Sequence, residues 1–194
     1  MERSALSRIQ QLMQIEKGED PPAKELTASS SWILPGKLAA GRFPHPSEVP
    51  VLERAGVTLF VTLTEEWESS DRSLRQRAAE YRTDRRRLRF PVPDYGVPED
   101  APAFALFVER LAEALRGPEV LFVHCMGGAG RTGIVLACLL ARHCRVSADE
   151  ALERVQRAYD KRPEHHVGGR SPEFDHQVEF VRNFVANHEK EKEK

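Results

Sequence analysis

The sequence predicts a single α/β domain built on a central, mainly parallel sheet flanked by helices. Three observations lead there. Short β-rich apolar runs recur at Val57–Leu63 and Val120–Val123, with Leu88–Val92 between them; amphipathic helical stripes alternate with these runs; and a Gly-rich loop joins one run to a segment apolar on nearly every side. Runs that are continuously apolar suit strands covered on both faces, as in parallel sheets.

The elements follow in order. Ser4 to Glu16 places Leu6, Ile9 and Met13 at helical spacing before Gly18, Pro21 and Pro22, which predicts an accessory N-terminal helix. Lys24 to Ser31 is polar and is expected to be a loose connection, so residues 1–31 form a helix and linker, 32–187 the main domain and 188–194 a charged tail. Trp32–Leu34 and Leu38–Ala40 flank Pro35-Gly36 as two short strands around a turn. Phe104, Phe107, Val108, Leu111 and Leu115 form one helical stripe. Gly133–Cys144 is expected to be a helix through the centre. Ser147 and Glu150 make a capping box for a helix with Leu152, Val155 and Tyr159 inward. Ser171-Pro172 has the cap-then-proline order of a last helix, striped by Phe174, Val178, Val181 and Val185. The tail from His188 alternates Glu and Lys, as a solvated helix end or a frayed terminus does.

Composition narrows the function. In 194 residues, 29 basic side chains face 30 acidic ones, so no net field draws the chain to nucleic acid or an anionic membrane, and neither is expected as a partner. Three cysteines cannot build a disulfide framework and fit a reducing cytoplasm. The first twenty residues have no uninterrupted apolar core, and no later run approaches the roughly eighteen residues of a spanning helix, so a soluble cytoplasmic protein is expected.

The chemistry sits in Val123-His124-Cys125-Met126-Gly127-Gly128-Ala129-Gly130-Arg131-Thr132-Gly133, between a buried strand and a buried helix. A loop with so little side chain, Met126 to Gly130, can turn successive backbone N–H groups toward one point at the positive helix end, which is a phosphate site. Arg131 in the first helical turn can return its planar fork to two phosphate oxygens. Cys125 would lie under that ring of donors, where the same dipoles favour a thiolate, and is the candidate nucleophile; a buried structural thiol is the bland alternative.

His124-Cys125-x5-Arg131-Thr132 resembles the signature of the cysteine-dependent protein tyrosine and dual-specificity phosphatases. Phe90-Pro91-Val92-Pro93-Asp94-Tyr95-Gly96-Val97-Pro98 looks like the mobile acid loop of the tyrosine-specific members, with Val92 where those carry Trp. The Gly-Gly-x-Gly loop and the chain length are similar to the small kinase-associated branch of the dual-specificity enzymes. The resemblance runs from Trp32 to Asn187, and no counterpart of the Tyr-bearing substrate loop is visible.

What this resemblance implies is a phosphoric monoester hydrolase working through a phosphocysteine intermediate on a phosphorylated protein, with no metal or organic cofactor. Asp94 would be the general acid and then the base for water; a turn-capping carboxylate is the alternative at Pro-Asp-x-Gly, and Asp100 is the reserve acid. By resemblance His124 orients the loop through hydrogen bonds and the Thr132 hydroxyl steadies the departing sulfur, although packing or capping would also account for either. Gln177 falls on an apolar stripe, and the resemblance gives it the hydrolytic water, a structural hydrogen bond being the other option. Arg162-Pro163 lines the pocket or is an ordinary loop. Cys138 and His165-His166 read as structural, without metal-ligand spacing.

Two rival functions remain open at this stage. One is a phosphatase of a nonprotein phosphate such as an inositol lipid, a sugar phosphate or an RNA 5′ end, to which the Arg82, Arg85, Arg86, Arg87 and Arg89 cluster lends support unless it is a solvated face partly offset by Asp84. The other is a non-catalytic module that captures phosphoproteins. Oligomeric state is not legible.

Overall fold

In the computed structural model, residues 24–65, 68 and 82–192 are described. The expected helix at 4–16 lies outside them. Five strands, β1 (Ser30–Leu34), β2 (Leu38–Gly41), β3 (Leu59–Thr62), β4 (Arg86–Arg89) and β5 (Leu121–His124), form one sheet in the order β1-β2-β5-β3-β4. Only β1 and β2 pair antiparallel; β2 with β5, β5 with β3 and β3 with β4 are parallel. The mainly parallel α/β domain is therefore as expected.

The pleat decides which side chains go where. Leu38, Ala40, Leu59, Val61, Leu121 and Val123 enter one apolar cluster while Ala39, Phe60 and Phe122 enter another on the opposite face. The first face is covered by α2 (Ala101–Arg116), α3 (Gly130–Cys144), α4 (Ala148–Asp160) and α5 (Asp175–Lys192), and the second by the short α1 (Val49–Arg54), which buries Val49 and Leu52. Residues 130 to 140 of α3 are all buried, as the all-round apolar run requires of a helix wrapped by α2, α4 and α5. On α2 the anticipated stripe Phe104, Phe107, Val108, Leu111 and Leu115 is buried, and the Ser147 hydroxyl accepts from the Glu150 N–H at the start of α4.

Three local expectations are corrected. The strand anticipated at Leu88–Val92 runs instead from Arg86 to Arg89, because Pro91 and Pro93 have no N–H to extend the ladder and an edge strand tolerates exposed arginines. α5 starts at Asp175 rather than after Ser171-Pro172: the Ser171 hydroxyl donates to Ala129 O (2.9 Å), and Pro172 packs so tightly on α3 that a Cβ at Gly133 would lie 2.7 Å from its nitrogen. The polar segment before Trp32 is no loose connection. Ser29, Ser30 and Ser31 are buried, with Ser29 donating to Glu48 Oε1 (3.0 Å), Ser30 to Thr27 O (3.0 Å) and Ser31 accepting from Arg162 Nε (3.1 Å), so the hydroxyls are satisfied in place.

Register sets the stage for the site. Gly41 and Thr62 both stand opposite His124, so β2, β5 and β3 end level at the carboxyl edge of the sheet, with the central strand β5 delivering the next residue, Cys125, between two neighbours.

Candidate active site

Cys125 opens a tight loop that is closed by α3. Gly128, in the middle, has φ 76°, and a Cβ there would lie 2.4 Å from the carbonyl carbon and oxygen of Gly41; only glycine satisfies both the left-handed backbone and that approach. Its N–H donates to Cys125 Sγ (3.2 Å), an amide dipole aimed at the sulfur. Met126, Gly127, Ala129, Gly130 and Arg131 line, with Cys125, a cavity of about 240 Å³ whose far wall is Asp94, Tyr95, Glu173 and Gln177.

Arg131 is 3% exposed, and its partners were not foreseen. Glu68 meets it end-on through both oxygens (Nη1–Oε1 2.5 Å, Nη2–Oε2 2.9 Å), while Nη1 also donates to Val92 O (3.2 Å) and Nη2 pairs with Asp94 Oδ1 at 2.7 Å. The Glu68 and Val92 hydrogen bonds take three of the five guanidinium N–H groups, and Asp94 adds an ion pair. Burial opposes the charge, but the Glu68 hydrogen bonds and the electrostatic pull of Cys125, Glu68 and Asp94 outweigh it and raise the guanidinium above its ordinary value. Glu68 is itself 6% exposed, and nothing in Thr64-Glu65-Glu66-Trp67-Glu68 signals a partner 63 positions away. Removing it strands a buried cation on fewer acceptors. Glu68→Ala should therefore lower unfolding stability by roughly 1–3 kcal/mol, read by urea titration; an unchanged midpoint would mean the pair contributes nothing.

Asp94 is placed across the cavity from the loop, one-third exposed. Its Oδ1 accepts from Tyr95 N (3.1 Å), so it also caps its own turn, closed by Gly96 N to Pro93 O (2.9 Å). Val92 is wholly buried and anchors the loop through its N–H to Leu63 O (3.0 Å). The reserve acid Asp100 is not in the cavity: it caps α2, accepting from Ala103 N (2.9 Å).

The supporting residues divide. His124 is fully buried, with Nε2 3.0 Å from Thr62 Oγ1 and Nδ1 3.4 Å from Cys125 O; burial, and less so the Arg87 charge, push its imidazole down to about 3, so the ring is neutral at working pH. The Thr132 hydroxyl is buried with no hydrogen-bond partner among the described residues. Gln177 both faces the cavity and ties the backbone: Oε1 accepts from Glu173 N (3.1 Å) and Phe174 N (3.3 Å), and Nε2 donates to Gly96 O (3.0 Å). Arg162 does not line the cavity; it lies behind the loop, donating to Gly128 O (2.8 Å) and Ser31 Oγ, 5.1 Å over the Tyr159 ring, and burial lowers it to about 10. Cys138, fully buried in α3, has its thiol pushed well up by that burial. Among the described residues no His, Cys, Asp and Glu group could hold a metal ion, and no helix is long and apolar enough to cross a membrane.

A Cys-x5-Arg loop between a central parallel strand and a buried helix, faced by a carboxylate on a separate loop, defines the class of cysteine-dependent phosphatase domains. Residues 27–179 match the family model described as "Swiss Army Knife protein, DSP-PTPase phosphatase domain", and the chain belongs to that family of phosphomonoester hydrolases. Among relatives, a protein of Invertebrate iridescent virus 3 carrying a tyrosine-phosphatase name, 067L, is 32% identical over 137 residues, covering 69% of this chain and 55% of that one. The phosphatidylglycerophosphate phosphatase PTPMT1 of Arabidopsis thaliana is 28% identical over 119 residues, covering 61% and 34%. The solved structure of kinase associated phosphatase shares the fold at TM-score 0.65 and 19% identity, over 82% of this chain and 93% of that one. The chain spans about half the length of the first curated relatives it matches.

Proposed function

We propose that this chain is a cytoplasmic protein phosphatase that hydrolyses phosphotyrosine, and also phosphoserine and phosphothreonine, through a phosphocysteine intermediate. What carries the proposal is Cys125 Sγ held under the Gly128 N–H in a cavity walled by both Arg131 and Asp94. A phosphate dianion takes the loop N–H groups and the Arg131 fork, displacing Asp94 from Nη2. The Cys125 thiolate attacks phosphorus in line, the P–O ester bond breaks, and Asp94 in its acid form gives its proton to the leaving oxygen. Asp94, now a carboxylate, takes a proton from water as that water attacks phosphorus; the P–S bond breaks and the sulfur departs as thiolate. The unpartnered Thr132 hydroxyl suits stabilisation of that sulfur. Gln177 keeps one amide N–H beyond its bond to Gly96 O, enough to hold the water.

The substrate class follows from the cavity mouth. Met126 to Gly130 carry no charge, Arg131 is the only cation among the described residues that line the cavity, and Tyr95 and Glu173 stand at its rim, which suits an aryl monophosphate and repels a second phosphate. Arg86, Arg87 and Arg89 belong to the β4 edge and do not line it. Phosphotyrosine peptides should exceed polyphosphoinositides by at least about tenfold in kcat/KM, roughly 1.4 kcal/mol. A lipid-linked monophosphate is the second reading, favoured by the likeness to PTPMT1. A malachite-green assay in which phosphatidylinositol phosphates win, with the preference lost on substitution of Arg85 to Arg87, would establish the lipid reading instead.

A further inference from the structure

The backbone that carries Asp94 is gripped from the first turn of α5. His176 Nε2 lies 2.9 Å from Tyr95 O, and because a carbonyl only accepts, that nitrogen carries the proton. The neighbouring Gln177 Nε2 takes Gly96 O, so the two carbonyls immediately after Asp94 are both claimed by adjacent side chains of one helix. Aromatic contacts brace the same junction: the His176 ring stacks on Phe174 (5.7 Å, 17°), and Phe174 meets the Tyr95 ring edge-on (5.9 Å, 71°). Tyr95 needs such support, since it sits in the left-handed region at φ 59° without being glycine and the residue is 65% exposed. On the other side of the turn, Asp94 N donates to Glu65 Oε2 (3.3 Å). Val92 anchors the start of the loop, and these ties from α5 and Glu65 hold the turn that follows it beside the cavity.

We propose that His176 is a positioning residue for the general acid: its Nε2–H holds the Tyr95 carbonyl and thereby keeps Asp94 over the Cys125 loop. His176 does not line the cavity and touches no reacting atom, so it acts only through the backbone it grips. This rests on the assignment of Asp94 as acid made above, and the consequence is a leaving-group signature. A slightly displaced acid slows only those reactions whose leaving oxygen must be protonated.

The test compares His176→Ala with wild type on phenyl phosphate and on 2,4-dinitrophenyl phosphate. With the phenyl ester kcat should fall roughly three- to tenfold, the scale of one lost hydrogen bond, with KM little changed. With the dinitrophenyl ester, whose leaving group departs as an anion, kcat should stay within about twofold, which also shows that the variant is folded. His176→Gln, which retains a donor, should recover most of the loss, and His176→Ala should cost nothing further in an Asp94→Asn background. Equal loss on both esters, no loss on the phenyl ester, or additivity with Asp94→Asn would each overturn the proposal. If Asp94→Asn by itself showed no dependence on the leaving group, the acid assignment would fail, and this inference with it; a normal Asp94→Asn beside an inert His176→Ala sinks only the latter.

Discussion

Cys125→Ser is expected to remove turnover by several orders of magnitude while leaving phosphopeptide binding largely intact. The exchange swaps one atom for a slightly smaller one, and of the backbone N–H groups, the closely packed Gly128 and the Arg131 fork that build the loop, only the Gly128 N–H bonds the sulfur, a hydrogen bond that a serine oxygen can also accept. What is lost is the nucleophile, since a serine hydroxyl is not ionised near neutrality and, among the described residues, no second thiol lines the cavity. Activity measured with p-nitrophenyl phosphate, beside a binding titration with a phosphotyrosine peptide, separates the two; turnover within tenfold of wild type would refute the assignment of Cys125. Thiol labelling gives an independent check. Cys125 opens onto the cavity, Cys138 is sealed in α3 with its thiol pushed well up, and Cys144 is half-buried away from the site. Phosphate should therefore slow iodoacetate labelling of Cys125 and leave Cys144 labelling unaffected.

Asp94→Asn is expected to cost about 10²- to 10⁴-fold in kcat on phenyl phosphate and far less on esters of strongly acidic phenols. The geometry adds a second expectation. Asp94 Oδ1 lies 2.7 Å from Arg131 Nη2, so in the free protein its carboxylate competes with a phosphate dianion for the same donor. An amide in its place competes less, and KM should fall along with kcat, the pattern of a lost transition-state interaction combined with a relieved ground-state one. Equal losses with every leaving group would mark Asp94 as structural. Asp100 could not then take over, because its carboxylate is committed to the α2 N-terminus.

The glycine-rich loop, its strand and its helix were readable because everything they need lies within a dozen residues. Val120–Val123 is apolar enough to be central, Gly128 takes a backbone conformation other residues resist, and Gly130 to Leu140 has no polar stripe to offer solvent. The Ser147 cap and the α2 stripe were readable for the same reason: caps and periodicity are local. Where the expectation slipped, a distant group intervened. Ser171 looked like a helix cap and instead bonds the loop at Ala129; Ser29 to Ser31 looked like linker and instead lie buried against Glu48 and Arg162.

The sequence by itself determined the family, because Cys125, the Met126–Gly130 backbone and Arg131, the candidate nucleophile and phosphate-binding groups, are joined by one strand-loop-helix whose geometry is short-range. Tertiary structure alone decided who shares Arg131, where Asp94 is held and what stands at the rim. Glu68, Asp94 and Arg162 converge on the Cys125 loop, and His176 on the turn after Asp94, only because the strand order brings the ends of β3 and β5 level and lays the starts of α3 and α5 beside them. Ion pairs and carbonyl grips formed across such distances in sequence are set by which segments meet in space, and no local pattern of residues records that meeting.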